Sequence, residues 1–395
     1  MISFAEALQR VCDAAVPLGC EEVEFGLAAG RVLAEDVKAR SNTPTRDVSA
    51  MDGYGVRDAD LAILPARLVV VAESFAGTAA PSPLEPGSCV RIFTGAPVPT
   101  GVDRVIIQEN IERESDVAVF EQAPGEGRNI RKAGSDFMAG DALLAKGTAL
   151  TWRAMTTAAA TDHARLAVYR RPKAVILATG DELVAPGAAH EAPGSIPESV
   201  SFGVATFLSV HGVEVLRSER LADQPDRLSE AASGALADAD IVVVTGGASV
   251  GEKDYARTMF GPGELDYIYP KVAIKPGKPT WMARVGKTII VGLPGNPTSA
   301  MVTARLFLRP LIFGLTGRAA EAATVLRPII CHDALPATTS REVFLRAYLS
   351  NGEAHLFSNQ DSSHQANLAK ADLLIHRRAN TDALLAGSLV DVLDF

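Results

Sequence analysis

The sequence predicts a multidomain α/β plus β protein, with a central α/β unit that carries a parallel-rich sheet. Three observations point to it. The middle third holds three short apolar runs, at 174–178, 241–244 and 288–291, each free of polar alternation and each ending in a Gly- or Pro-rich turn. Continuous runs of this kind mark strands buried on both faces of a parallel sheet. Helical and strand patterns alternate over about 170–318, whereas the stretches on either side read as short strands separated by turns. A chain of 395 residues also exceeds one core and holds two to four domains, at roughly 100–200 residues each.

Taken in order, Ser3 and Glu6 have capping-box spacing, and Phe4, Leu8, Val11 and Ala15 then recur on one face, so an N-terminal helix is expected. Runs at 68–72, 89–93, 104–107 and 117–120, broken by proline-rich stretches, predict a small β-rich domain. An Ala/Thr-rich helix over 155–163 leads to Arg170-Arg171-Pro172, read as the hinge into the α/β unit. There a helix over 202–210 stops at His211-Gly212 before a strand at 213–216, and Asp223, with Pro225 and Asp226 behind it, opens a helix to about Asp238. A helix over 298–308 follows the third apolar run. After Gly317-Arg318, runs at 325–331, 343–349, 373–376 and 388–392 predict a C-terminal β domain.

Composition narrows the function classes. A formal net charge of −9 argues against nucleic acid as a partner of the whole surface. Cys12, Cys20, Cys89 and Cys331 form no CxxC pair, which fits a reducing cytoplasm. No apolar stretch approaches the ~20 residues of a membrane span, and the first residues lack the pattern of a signal peptide, so a cytoplasmic protein with no membrane partner is expected. The seven histidines show no metal-ligand spacing and read as surface or satisfied core residues. No Gly-x-Ser-x-Gly elbow supports serine acyl transfer.

The chemistry sits at the strand ends. In open α/β sheets ligands bind at the carboxyl ends of strands; here those ends carry Thr179-Gly180-Asp181-Glu182, then Thr245-Gly246-Gly247-Ala248-Ser249-Val250-Gly251-Glu252-Lys253-Asp254, then Pro294-Gly295-Asn296. Glycines let backbone N–H groups approach an anion, and turn-borne carboxylates can hold a hard cation beside it, so a phosphorylated ligand with Mg2+ is expected. Asp254 reads as a Mg2+ or phosphate-water ligand, or as the cap of the next helix. Lys275 and Lys278, three apart on a segment stiffened by Pro276 and Pro279, read as an anion site or as a solvated turn. Asp52, in the glycine-rich loop 49–55, and Asp136, near Gly134 and Gly140, have turn readings of their own.

In combination, Ser49-Ala50-Met51-Asp52-Gly53-Tyr54, Thr94-Gly95-Ala96, Thr179-Gly180-Asp181-Glu182-Leu183, the 245–251 loop with Asp254, Lys275-Pro276-Gly277-Lys278-Pro279 and Leu293-Pro294-Gly295-Asn296-Pro297 closely resemble the molybdopterin molybdenumtransferase family, which includes MoeA and the E domain of gephyrin. The resemblance covers almost the whole chain. It implies four domains: 1–42 with 135–168, an inserted β-rich domain at 43–134, an α/β molybdopterin-binding domain at 169–318, and a C-terminal β-barrel-like domain at 319–395. It further implies a homodimer that inserts molybdate into adenylylated molybdopterin, releases AMP, requires Mg2+ and makes transient contacts with other cofactor-biosynthesis proteins. Carried over by motif, Asp52, Asp136, Asp254, Lys275 and Lys278 are the functional residues, with Asp52 and Asp254 at the metal. Thr179, Gly180, Asp181, Glu182, Thr245, Gly246, Gly247, Ser249, Gly251, Pro294, Gly295, Asn296 and Arg346 are implied on the substrate, and Asp52 is implied to face the 245–254 loop of the other subunit.

The chain departs from the family pattern in three places. Glu198-Ser199-Val200 stands where Ser-Asn commonly opens a helix, Gln360 to Asn367 replaces a serine-rich stretch, and Ser135 replaces an acid before Asp136. These departures keep a second reading open: a carrier or scaffold that binds molybdopterin or the molybdenum cofactor without turnover.

Overall fold

The three apolar runs are the strands Lys173–Thr179, Ile241–Thr245 and Thr288–Leu293 in a computed structural model that describes residues 1–246 and 255–395. They belong to a six-stranded sheet ordered Glu214–Leu221, Lys173–Thr179, Ile241–Thr245, Thr288–Leu293, Trp281–Val285, Asp266–Tyr269. The first four strands are parallel and the last two antiparallel. Successive side chains point to opposite faces of a strand. Ala174, Ile176, Ile241, Val243, Ile289 and Val291 accordingly join one core cluster, while Val175, Leu177, Val242, Val244 and Ile290 join another. With both faces covered, polar alternation has no place in these runs.

One face is covered by the helices Val200–Val210 and Pro297–Leu315 and by the N-terminal helix Phe4–Ala14; Pro225–Asp238 covers the other with Leu228, Ala232 and Ala235. Ser3 caps the N-terminal helix by accepting from the Glu6 amide at 3.1 Å, although the Glu6 carboxylate reaches Arg10 at 2.7 Å. Pro297–Leu315 is long and apolar enough by composition to cross a membrane, yet 83% of it is buried. It outruns the expected end at 308 because a π-helical turn, Ala304–Leu308, carries it into Arg309–Leu315. Glu214–Leu221 also outruns its expected end at 216: it is an edge strand of alternating exposure, and its charged outer residues hide the strand pattern.

Packing divides the chain into two compact units: Met1–Glu35, Lys146–Thr151 and Leu166–Phe395 form one, and Asp36–Ala145 with Trp152–Arg165 the other. The first also contains the C-terminal strands, ordered Ile274–Lys275, Glu342–Ser350, Leu373–Arg377, Leu389–Asp394, Arg327–Ile330, with Glu353–Leu356 on Glu342–Ser350. A bridge from Cys331 to Ala354 brings the last strand back to Glu353–Leu356, so the sheet closes as a barrel. The second unit is built on a six-stranded sheet in which Arg104–Ile107 and Val117–Phe120 coincide with expectation. Gly53 is obligatory there, since a Cβ would lie 2.0 Å from the Ile106 carbonyl oxygen. The helix expected over 155–163 is Trp152–Ala160.

The segment read as a hinge is clamped. Arg170 donates to both oxygens of Asp240, at 3.1 and 2.9 Å, and the Lys173 amide donates to the same carboxylate at 2.8 Å. Burial of Asp240 opposes its ionisation, but the Arg170 guanidinium and the Lys173 amide outweigh it and hold the carboxyl below its ordinary value. A lowered native pKa contributes stability above the unfolded value of about 3.9 and loses it as pH falls through the native one. Asp240→Asn should therefore flatten the acid limb of a stability–pH curve; an unchanged limb would assign that dependence to other groups. Leu177→Ala, at a fully buried position, should lower stability by about 2–5 kcal/mol in urea unfolding, whereas Val71→Ala at a position 59% exposed should change it by less than about 0.5 kcal/mol.

Candidate functional site

Register sets the site. Ala178 pairs with Thr245, and Thr245 with Leu293, so Thr179-Gly180, Gly246 and Pro294-Gly295-Asn296 leave the sheet at one level. From Lys173–Thr179 the chain runs first to a neighbour on one side, Glu214–Leu221, and then to the neighbour on the other, Ile241–Thr245. That reversal is the topological switch point at which open sheets bind ligands. A cleft of about 650 Å³ opens there and is lined by all three turns. Gly246 has φ +89°, and a Cβ on it would lie 2.2 Å from the Thr179 carbonyl oxygen, so no larger residue fits between the two strand ends.

Glu182, Glu198 and Asp223 line this first cleft, and no lysine or arginine does so among the described residues. Asp181 sits behind: its Oδ1 accepts from the Asp223 amide at 2.9 Å and holds that turn. Glu198, from the stretch that departs from the family pattern, is 5% exposed and starts the helix Val200–Val210 by accepting from the Ser201 amide at 2.7 Å and from the Ser201 hydroxyl. Ser199 donates to Gln365 Oε1 at 3.3 Å.

A second cleft of about 550 Å³ shares Pro279, Pro294 and Asn296 with the first and has the opposite charge. Lys275, Lys278 and Arg341 face Asp361 there, three cations against one carboxylate. Strand pairing brings them together: Ile274 and Lys275 run parallel to Glu342 and Val343, which sets Arg341 beside the lysine segment. Gly277, at φ +99°, lets that segment press on the helix behind it, where a Cβ would meet Thr303 Cγ2 at 2.2 Å. Asp361 is held below the ordinary carboxylate range, first by the Ser363 amide at 2.8 Å and then by its hydroxyl at 2.7 Å. Asn296 donates to Ser362 Oγ at 3.2 Å and so ties the two clefts together.

Arg346 lies beneath this wall rather than in a cleft. It is 1% exposed. Its guanidinium donates to the carbonyls of His364 at 2.9 Å, Asp361 at 3.0 Å and Asn359 at 3.2 Å; burial pushes its pKa down, against the opposing pull of the Asp361 carboxylate. The Gln360 side chain clamps the Arg346 backbone at 3.0 and 2.9 Å. Together they shape the loop 359–364, which supplies Asp361 and Ser362.

Asp52 and Asp136 lie in the second unit. Both are exposed, at opposite ends of the short ladder in which Val48–Ser49 pairs with Ile130–Arg131. Asp52 Oδ1 accepts from the Thr94 amide at 2.7 Å and its hydroxyl at 2.9 Å, and these bonds, amide first, hold the carboxyl below its ordinary range with help from Arg91. Arg91 donates to the Gly53 carbonyl at 3.0 Å and fixes the loop. Asp136 is anchored through its amide on the Thr43 carbonyl at 3.0 Å. Gly247, Ser249, Gly251 and Asp254 lie outside the described residues.

Three family models account for most of the chain: the MoeA N-terminal region (domain I and II) at residues 2–161, the "Probable molybdopterin binding domain" at 175–314, and the MoeA C-terminal region (domain IV) at 328–395. A molybdopterin molybdenumtransferase from Nostoc sp. is 34% identical over 371 residues, covering 92% of this chain and 84% of that one. The chain belongs to the molybdopterin molybdenumtransferase family. Its counterpart in Haemophilus influenzae is 37% identical over 304 residues, 76% of this chain and 74% of the other. The solved molybdopterin biosynthesis protein moeA of Pyrococcus horikoshii superposes with a TM-score of 0.85 at 25% identity over all of both chains.

Sequence reasoning missed Glu198, Asp223, Arg341 and Asp361. Asp223 was visible only as a helix start, and Arg341 carries no local signal because strand pairing alone brings it to the lysines. Arg346→Ala and Arg346→Lys should both raise amide hydrogen exchange in 359–364, since a lysine cannot fork to three carbonyls; unchanged protection would show that the loop holds itself.

Proposed function

We propose that this chain inserts molybdate into adenylylated molybdopterin and releases AMP, in a Mg2+-dependent step of molybdenum cofactor biosynthesis. The observation that carries the reading is the pair of adjoining clefts of opposite charge. A pterin presents a guanine-like edge of N–H donors, which suits the carboxylates Glu182 and Asp223. The phosphoanhydride and MoO4(2−) are anions, which suit Lys275, Lys278 and Arg341 across the shared ridge of Pro294 and Asn296. Charged groups held in place where charge develops are the main resource of phosphoryl chemistry.

The residues divide the work accordingly. Glu182 and Asp223 orient the pterin, the turns after Thr179, Thr245 and Pro294 bound the ligand backbone, and the three cations hold the oxyanion against the bond to be cleaved. Mg2+ takes oxygen ligands, which fits Asp52, whose Oδ1 accepts both Thr94 bonds, and Asp254, the pair that the family resemblance puts at the metal. When bound it offsets phosphate charge and polarises the anhydride. Asp52, Asp136 and Asp254 enter this reading through the family resemblance, as do the homodimer and the cytoplasmic location. Mixing Asp52→Ala and Asp254→Ala subunits should restore about half the wild-type activity per heterodimer if the two carboxylates act in trans.

The test is AMP release from adenylylated molybdopterin with molybdate and Mg2+. Removing a charge-assisted contact costs about 1.5–3 kcal/mol, so Lys275→Ala, Lys278→Ala and Arg341→Ala should each raise the molybdate concentration for half-maximal release about tenfold or more, with little change in pterin-nucleotide affinity. A wild-type protein that binds the nucleotide but releases no AMP would be a carrier instead.

A further inference from the structure

The closure of the C-terminal barrel has a consequence on its outer face. Cys331 and Ala354 pair across the closing seam and are both fully buried. Because side chains alternate along a strand, their neighbours His332, Glu353 and His355 all point outward. The His332 amide donates to the Ala354 carbonyl at 2.9 Å and fixes the two segments in register. His332 Nδ1 lies 3.3 Å from Glu353 Oε2, and the rings of His332 and His355 stack at 4.4 Å. One potential ligand atom from each residue lies within 4.8 Å of the other two.

We propose that His332, Glu353 and His355 form a binding site for a divalent transition-metal ion. Two imidazoles and a carboxylate are donors that Zn2+, Co2+ and Ni2+ share, whereas Mg2+ and Ca2+ prefer oxygen alone. Ligands about 2.1 Å from a tetrahedral ion are about 3.4 Å apart, so the atoms need to close by no more than about 1.4 Å, a side-chain movement. Stacked rings aim their lone pairs side by side, so one imidazole must turn about its Cβ–Cγ bond to share an ion. If His355 turns, it leaves its stack on Tyr348, its cross-strand partner, at 5.3 Å, so metal binding changes the surroundings of Tyr348. Three protein ligands leave the remaining positions to water or a small anion. The histidines lack any sequence motif because 21 residues separate His332 from Glu353 and the barrel seam alone unites them.

The site is tested by titrating CoCl2, then ZnCl2, into the full-length protein carrying Cys20→Ser, which removes an exposed thiol. The expected result is one Co2+ per chain with visible ligand-field bands, displacement by Zn2+, and a change in Tyr348 fluorescence. Losses of 10–100-fold follow from changes to the outer partners of metal ligands, so His355→Ala and Glu353→Gln should each weaken binding by about tenfold at the least. In the unmutated chain, Co2+ should broaden the imidazole NMR signals of two of the seven histidines, those of His332 and His355. Absence of saturable binding, or broadening confined to other histidines, overturns the assignment whether or not the variants fold.

Discussion

The first cleft, and the ridge it shares with the second, depend on the register of three parallel strands. Because Ala178, Thr245 and Leu293 lie side by side, the turns that follow emerge together, and the switch in strand order beside Lys173–Thr179 keeps a crossover helix from filling the space above them. The register is enforced by burial on both faces, since sliding a strand by one residue would exchange its two side-chain sets between cores of different shape. Gly246 shows how closely the ends approach: the gap to the Thr179 carbonyl admits no Cβ.

The second cleft depends on a partnership between sheets. Ile274–Lys275 leaves the α/β core and pairs with the barrel strand Glu342–Ser350, so one short ladder joins the lysines to Arg341 and to the loop that Arg346 and Gln360 hold from below. Charge is segregated as a result. Carboxylates gather where the α/β turns meet, cations gather where the barrel joins, and Asn296 bridges the two by its bond to Ser362. A ligand with a donor-rich ring at one end and an anionic chain at the other matches this division.

The central sheet was legible in the sequence because its strands are buried on both faces and its turns carry their own glycines. The edge strand Glu214–Leu221 was cut short, because an exposed face admits charges that mask the pattern. The lysine pair and the strand-end turns were readable as local motifs, and the structure places them on two adjoining clefts. Arg341, Asp361 and the histidine cluster were not readable, since each owes its position to pairing between segments distant in the chain. Arg346 was assigned to the substrate by resemblance; the structure instead shows a guanidinium committed to three backbone carbonyls, a role that no local pattern distinguishes from ligand binding.

The central claim is that the cationic cleft holds the oxyanion. The most direct measurement is anomalous diffraction from crystals of the protein soaked in tungstate, a heavy isostere of molybdate. The account predicts an anomalous peak among Lys275 Nζ, Lys278 Nζ and the Arg341 guanidinium. A well-occupied peak elsewhere, with this cleft holding only solvent, would contradict it.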